Sequence, residues 1–195
     1  MKYGKVEAIK LTGQEYFHVD GKKLNFDILS FWQWSSSQIL SNALRGIIAE
    51  YIVAQAINCI PDTREEWDAY DLLTQEGWKV EVKSASYIQS WEQTKPSSIS
   101  FSIKPTLFLE KDNQKTILPK RQSDLYVFCL LAHKEQETID PLNLSHWEFY
   151  LLPTKILNER VSTQKTIRLS SLLKLEPIKC EFEEMKIKIQ ELIHT

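Results

Sequence analysis

The stretch DLLTQEGWKVEVK, Asp71 to Lys83, decides how the chain is read. Two strand-like runs flank the turn Gln75-Glu76-Gly77, and they carry Asp71, Glu81 and Lys83 in that order. Side chains alternate across a strand, so Lys79, Glu81 and Lys83 share one face. Trp78, Val80, Val82 and Ser84 form the other, apolar face, which belongs to a core. Glu81 and Lys83, two residues apart, stand within about 7 Å at their Cα atoms, close enough to serve one bound group. A glycine in the turn favours an antiparallel hairpin, and that pairing would bring Asp71 beside Glu81. An acid-x-Lys triplet on an amphipathic strand is common, so its meaning depends on what surrounds it.

Upstream, Ser35, Ser36 and Ser37 offer N-caps for QILSNALRGIIAEYIVAQAIN, in which Leu40, Leu44, Ile47, Ile48, Tyr51 and Ile52 recur at helical spacing. Pro61 closes the segment. At 100° per residue Glu50 points with Ala43, Gly46, Ile47 and Ala54, in the stripe expected to face a sheet, where an unpaired carboxylate is costly to bury. Glu50 therefore either pairs with Arg45 or Arg64 at the helix edge, or joins Asp71, Glu81 and Lys83. Three carboxylates suit a hard cation such as Mg2+, which takes one or two of them, keeps several waters and binds phosphate oxygens. A lysine beside it can orient or deprotonate an attacking water. The set reads as a metal-dependent phosphodiesterase site.

The remaining chain frames that set. KVEAIKL and EYFHVDG around TGQ predict an N-terminal β-hairpin, within about residues 1–34. SISFSI (Ser98 to Ile103) predicts a third strand, and a polar connection through Pro105, Pro119 and Arg121 leads to DLYVFCLLA, a continuous apolar run suited to a central strand. WEFYLLP predicts another strand, TKILNER a short helix, KTIRLSSLLKL a strand entering a helical turn, and CEFEEMKIKIQELI a C-terminal helix over about 181–193. The order predicts one domain, 1–195, of the α/β (α+β) class, with a mixed β-sheet flanked by helices.

The 195 residues and 22.8 kDa allow one sizeable core, and 43% hydrophobic with 26% charged residues places the chain among globular proteins. No apolar run approaches the roughly 20 residues of a membrane span, and MKYGKVEAIK lacks a signal-peptide core, so a cytoplasmic protein is expected. Cys59, Cys129 and Cys180 are far apart in apolar settings and read as buried thiols. His18, His133, His146 and His194 lack metal-ligand spacing. A net charge of −2 and pI of about 6.1 give no global basic footprint. Lys95, Lys104, Lys111, Lys115, Lys120 and Arg121 nevertheless form a local basic excess, typical of a solvated loop but also placed to contact phosphates. Trp91, in a polar loop beyond the hairpin, either packs that loop down or stacks on a base or sugar.

At these residues the chain resembles the PD-(D/E)xK nuclease superfamily, which includes many restriction endonucleases, Holliday junction resolvases and repair nucleases. An acid on a helix (Glu50), an acid on a strand (Asp71) and acid-x-Lys on the next strand (Glu81-Val82-Lys83) carry the likeness, over roughly Ser36 to Ala132. Tyr70 stands where the pattern has proline, and the helix expected after the third strand is poorly written in PTLFLEKDNQKTILPK. The resemblance implies a restriction endonuclease-like core. It implies Asp71, Glu81 and the Val82 carbonyl as ligands of Mg2+, or of Mn2+, with Glu50 as an auxiliary ligand and Lys83 on the water. It further implies an endonuclease acting on DNA, double-stranded in the leading case and of restriction type; whether two copies pair is left open, though a two-fold homodimer would match duplex symmetry. A repair or recombination nuclease and a catalytically silent DNA-binding or assembly subunit of the same fold are the alternatives. An unrelated mixed-sheet domain with decorative charges would hold Asp71 and Glu81 apart.

Overall fold

A computed structural model of the chain describes residues 3–4, 6–64, 69–107 and 119–193. Its centre is β6 (Leu125–Leu131), every residue of which is buried, as a strand apolar on both faces requires. Strand β4 (Lys79–Ser86) lies parallel to it, with Val80 opposite Leu125 and Glu81 opposite Tyr126. On the other side β7 (Trp147–Pro153) runs antiparallel, and it carries β9 (Ile178–Cys180) at its outer edge. The short β3 (Leu72–Leu73) pairs antiparallel with β4, so the five-stranded mixed sheet has the order β3-β4-β6-β7-β9.

Each face of this sheet has its own cover. Val80, Val82, Leu125, Val127 and Cys129 pack beneath helices α2 (Asn42–Ala56) and α5 (Met185–Ile193), which contribute Ala49, Ile52, Val53, Met185 and Ile189. Burial of Ile52 and Val53 stabilises this layer by about 2 kcal/mol each. Ala85, Tyr126, Phe128 and Leu130 lie on the opposite face. Leu157 of α3 (Thr154–Arg160), Leu172 of α4 (Leu169–Leu173) and a two-stranded sheet cover them. That small sheet joins β5 (Ser100–Ser102) to β8 (Thr166–Arg168), with Phe101 opposite Ile167. The chain therefore has the expected mixed α+β architecture, a sheet flanked by helices.

Several expectations are corrected. The run SISFSI does form a strand, but outside the main sheet: Phe101 and Ile103 point into the second core and pair across to β8 rather than extending the hairpin. The N-terminal hairpin is displaced one segment along the chain, to β1 (Tyr16–Val19) and β2 (Lys22–Asp27). Its turn is Asp20-Gly21, both at positive φ (49° and 78°), the backbone of a tight turn that the Asp-Gly dipeptide favours. Ser35 and Ser36 end a separate helix, α1 (Ile28–Ser36), which Asp27 and Ser30 cap reciprocally. Helix α2 is capped by Ser41 instead, whose side chain accepts from the Leu44 N–H.

Arg121 is also reassigned: it is buried among backbone carbonyls of Ile103, Val161, Ser162 and Gln164 and the side chain of Asn158, so it is no phosphate contact. Lys111, Lys115, His194 and most of PTLFLEKDNQKTILPK lie outside the described residues. Cys129 and Cys180 are buried and Cys59 is partly buried, all as free thiols. Among the described residues, no helix is long and apolar enough to cross a membrane.

Candidate active site

The edge of β4 is where the sequence set comes together. The Asp71 N–H donates to the Val80 carbonyl at 3.0 Å, and the Asp71 carboxylate then accepts from the Val82 N–H at 2.7 Å. A side chain thus takes the place of the next backbone acceptor, which satisfies β4 where β3 ends. This bond fixes the carboxylate above the Glu81-Val82-Lys83 backbone, so strand pairing positions it without a longer β3.

Glu81 and Lys83 project from β4 on the face opposite α2, both partly buried, and the Lys83 ammonium contacts the Glu81 carboxylate. Parallel pairing sets Tyr126 beside Glu81. Tyr126 is 3% exposed, and burial, with the Glu81 charge next, pushes its phenol up to about 12. Tyr126 is a residue that reading the sequence missed, because a parallel register leaves no local signal.

Asp71 is the strained charge of the group. Burial raises its pKa from 3.8 to about 6, and repulsion by Glu81 adds to this. Lys83 and the Val82 N–H oppose the rise, and Glu50 contributes least. Among the described residues Asp71 forms no ion pair of its own. A buried carboxylate in that position is stabilised by gaining a cation.

Glu50 reaches toward Asp71 from α2, near enough to add to its pKa rise, but is engaged by Arg64. The buried residues of α2 are Arg45, Ala49, Ile52, Val53 and Ala54; of the residues grouped with Glu50, Ala54 is thus buried, whereas Ile47 is 39% exposed and Ala43 is exposed too. Glu50 lies on the flank of this buried set and receives two hydrogen bonds from Arg64, at 2.6 and 3.0 Å. Of the two arginines named from the sequence, Arg64 is the partner. Arg45 turns inward, to the Leu40 carbonyl and to the side chains of Asn42 and Gln89. A cavity of about 450 Å3 nonetheless has Glu50, Tyr51, Arg64 and Asp71 in its wall, and a second of about 560 Å3 meets it at Asp71. The two cavities share Ile60, Pro61, Asp62, Asp71 and Leu72, so Asp71 lies in the wall common to both.

Among the described residues no three His, Cys, Asp or Glu side chains form a ready metal cage. Asp71 and Glu81 are the carboxylates that could bear on one cation, and only on one that needs few protein ligands. Mg2+ takes one or two carboxylates and completes its octahedron with water and substrate oxygens. Asp71, raised in pKa and without an ion pair, supplies such a carboxylate beside Glu81. Trp91 is 53% exposed. Its loop is held by Gln89 and Gln93, which bond to backbone and to Ser97, so the loop is ordered without Trp91 being packed down.

No curated protein sequence matches the chain. A solved structure entitled "The structure of a bacterial homing endonuclease: I-Ssp6803I" is similar over 66% of this chain and 78% of that one, with 21% identity and a TM-score of 0.37. The sequence model of the family described as Bacteriophage T4 endonuclease IV matches residues 27–171. That segment runs from the cap of α1 into α4 and contains Glu50, Asp71, Glu81 and Lys83. With well over half of its length matched, the chain belongs to the bacteriophage T4 endonuclease IV family.

Proposed function

We propose that the chain is a Mg2+-dependent DNA endonuclease with a PD-(D/E)xK-type site, cutting double-stranded DNA in the manner of a restriction enzyme and working as a homodimer. The observation that carries this reading is the Asp71 carboxylate, fixed by the Val82 N–H over an acid-x-Lys strand and pushed up to a pKa of about 6. Family membership supports the endonuclease activity.

Asp71, Glu81 and the Val82 carbonyl would hold the metal, which supplies Lewis-acid polarisation of the phosphodiester and a more acidic bound water. Asp71 is kept in place by a backbone donor and needs little reorganisation. Lys83, neighboured by Glu81, orients the attacking water and offsets phosphate charge. Glu50 acts as an auxiliary carboxylate from the cavity wall, and Arg64 holds its charge in check.

Lys83→Ala should reduce cleavage at least roughly a hundredfold, the usual contribution of a general acid/base or electrostatic group, with melting comparable to the parent. Undiminished cutting by this variant would remove Lys83 from the mechanism. Restriction-type action also predicts discrete fragments with fixed ends from long duplex DNA. A second reading, a catalytically silent DNA-binding member of the fold, is favoured by the two-pronged Arg64–Glu50 contact, which occupies a carboxylate that the active reading assigns to the metal. The same assay decides it, since a silent protein cuts no DNA in any divalent ion.

A further inference from the structure

The β1–β2 hairpin and the helix α1 that follows it present an apolar surface that is open to solvent. Val19 lies opposite Lys22 and His18 opposite Lys23, so alternation places Phe17, Val19, Leu24 and Phe26 on one face of the hairpin, with Lys22 at its turn end. Tyr16, His18, Lys23 and Asn25 take the other face. The Phe17 and Phe26 rings meet at 4.8 Å, which agrees with this assignment. Yet Phe17, Val19, Leu24 and Phe26 are 39%, 59%, 37% and 49% exposed. Helix α1 has no buried residue, and it adds Phe31 and Trp34, with rings 6.4 Å apart and Trp34 84% exposed.

An amphipathic hairpin with its apolar side in water is poorly stabilised: an isolated two-stranded sheet is marginal, and a nine-residue helix is shorter than the ~12–15 residues an isolated helix needs. Local bonds define the arm, through the Asp27–Ser30 cap and the Glu15 carboxylate on Thr12 and Gly13, but they bury nothing large. The face requires a cover.

We propose that the cover is a second copy of this chain, the apolar face of one β1–β2 hairpin packing on the same face of the other. Charge argues against other partners. Thr12 to Ser37 carries Glu15, Asp20 and Asp27 against Lys22 and Lys23, a net charge of −1, which attracts neither a phosphate backbone nor an anionic lipid surface. The area is of the right order: Phe17, Val19, Leu24 and Phe26 of the hairpin with Phe31 and Trp34 of α1, at roughly 200 Å2 each and about half exposed, offer about 600 Å2 toward the ~800 Å2 per partner of a standard interface. A two-fold axis uses one patch twice and closes, so the patch is covered on both copies. This deepens the nuclease reading by giving its homodimer a surface, but the pairing can be measured without any cleavage.

Light scattering at micromolar concentration should give a mass of about twice 22.8 kDa. Leu24→Lys, which sets like charges across the axis at an already exposed position, and the double change Phe17→Ser with Phe26→Ser should raise the dimer Kd at least tenfold. His18→Ser, on the polar face, should leave it unchanged. Circular dichroism identifies a variant that has merely unfolded, and Leu24→Lys then stands as the deciding one. A parent mass of one chain, or a folded Leu24→Lys protein that pairs as tightly as the parent, overturns the proposal. A dimer that dissociates as expected but never cuts DNA would retain the arm and discard the nuclease reading.

Discussion

Asp71 carries a cost that can be read as a function of pH. Its folded pKa of about 6 lies above the unfolded value of 3.8, so the native state holds this proton more tightly than the unfolded chain does. Stability from that proton is complete below about pH 4 and is lost as pH rises through about 6. A shift of this size is worth about 1 to 3 kcal/mol. Asp71→Asn keeps an oxygen to accept from the Val82 N–H but never ionises. With chelator present, the variant should melt several degrees above the parent at pH 8, and the gap should close by pH 4. A constant gap across that range would show that the Asp71 charge is already compensated. The same residue shows why the site was partly legible in the sequence. Parity along one strand is local, so Glu81 and Lys83 could be set on one face from spacing alone. Glu50 could not be placed so well, because its direction depends on how α2 rotates against the sheet, and that is decided by Ala49, Ile52 and Val53 packing across a distance in sequence. Nor does any pattern announce a side-chain acceptor such as Asp71 replacing a backbone one.

Arg121 shows how the layer behind β4 is held in place. The segment entering β6 is tied through this one guanidinium to the Ile103 carbonyl after β5 and to the turn between α3 and β8. Desolvation lowers its pKa, and no carboxylate is among its hydrogen-bond partners, so carbonyl dipoles and Asn158 compensate the charge. Arg121→Met should destabilise the protein by about 3 kcal/mol, because several buried carbonyls lose their donor at once. Arg121→Lys should recover only part of this, since an ammonium cannot span the same fork of acceptors. Urea titration measures both; a loss below about 0.5 kcal/mol for the Met variant would mean that water replaces the guanidinium. Elements with a one-dimensional signature were readable: β6 from its unbroken apolar run, β7 from WEFYLLP, and α5 from Phe182, Met185, Ile189 and Leu192. The hairpin was misplaced although Asp20-Gly21 marks it, because the alternation in KVEAIKL is as regular as that in YFHV. The partner of β5 was hidden for a different reason. Strand pairing between Phe101 and Ile167 is a tertiary choice that neither segment encodes alone.

Across the protein, charge sets how DNA can approach. The chain carries −2, and the proposed site gathers Glu50, Asp71 and Glu81 against Lys83 and Arg64. Glu81 is met by Lys83 and Glu50 by Arg64, which leaves Asp71 as the charge that a phosphodiester encounters. One like-charge pair at about 4 Å costs about 1 to 4 kcal/mol at effective dielectrics between 80 and 20, a tenfold effect on Kd or more. With EDTA the protein should therefore hold DNA weakly at pH 8, and more tightly at pH 5, where Asp71 is largely protonated. A divalent ion between carboxylate and phosphate turns the repulsion into attraction. Ca2+ fits such a site but coordinates more loosely than Mg2+, so it should strengthen binding at pH 8 at least tenfold without supporting cleavage. Asp71→Ala should remove both the pH dependence and the Ca2+ effect, and converge with the parent at pH 5 in EDTA. Fluorescence anisotropy with labelled duplex separates these cases. Equal parent affinity in EDTA and Ca2+ at pH 8 would place the DNA on another surface, away from the edge of β4.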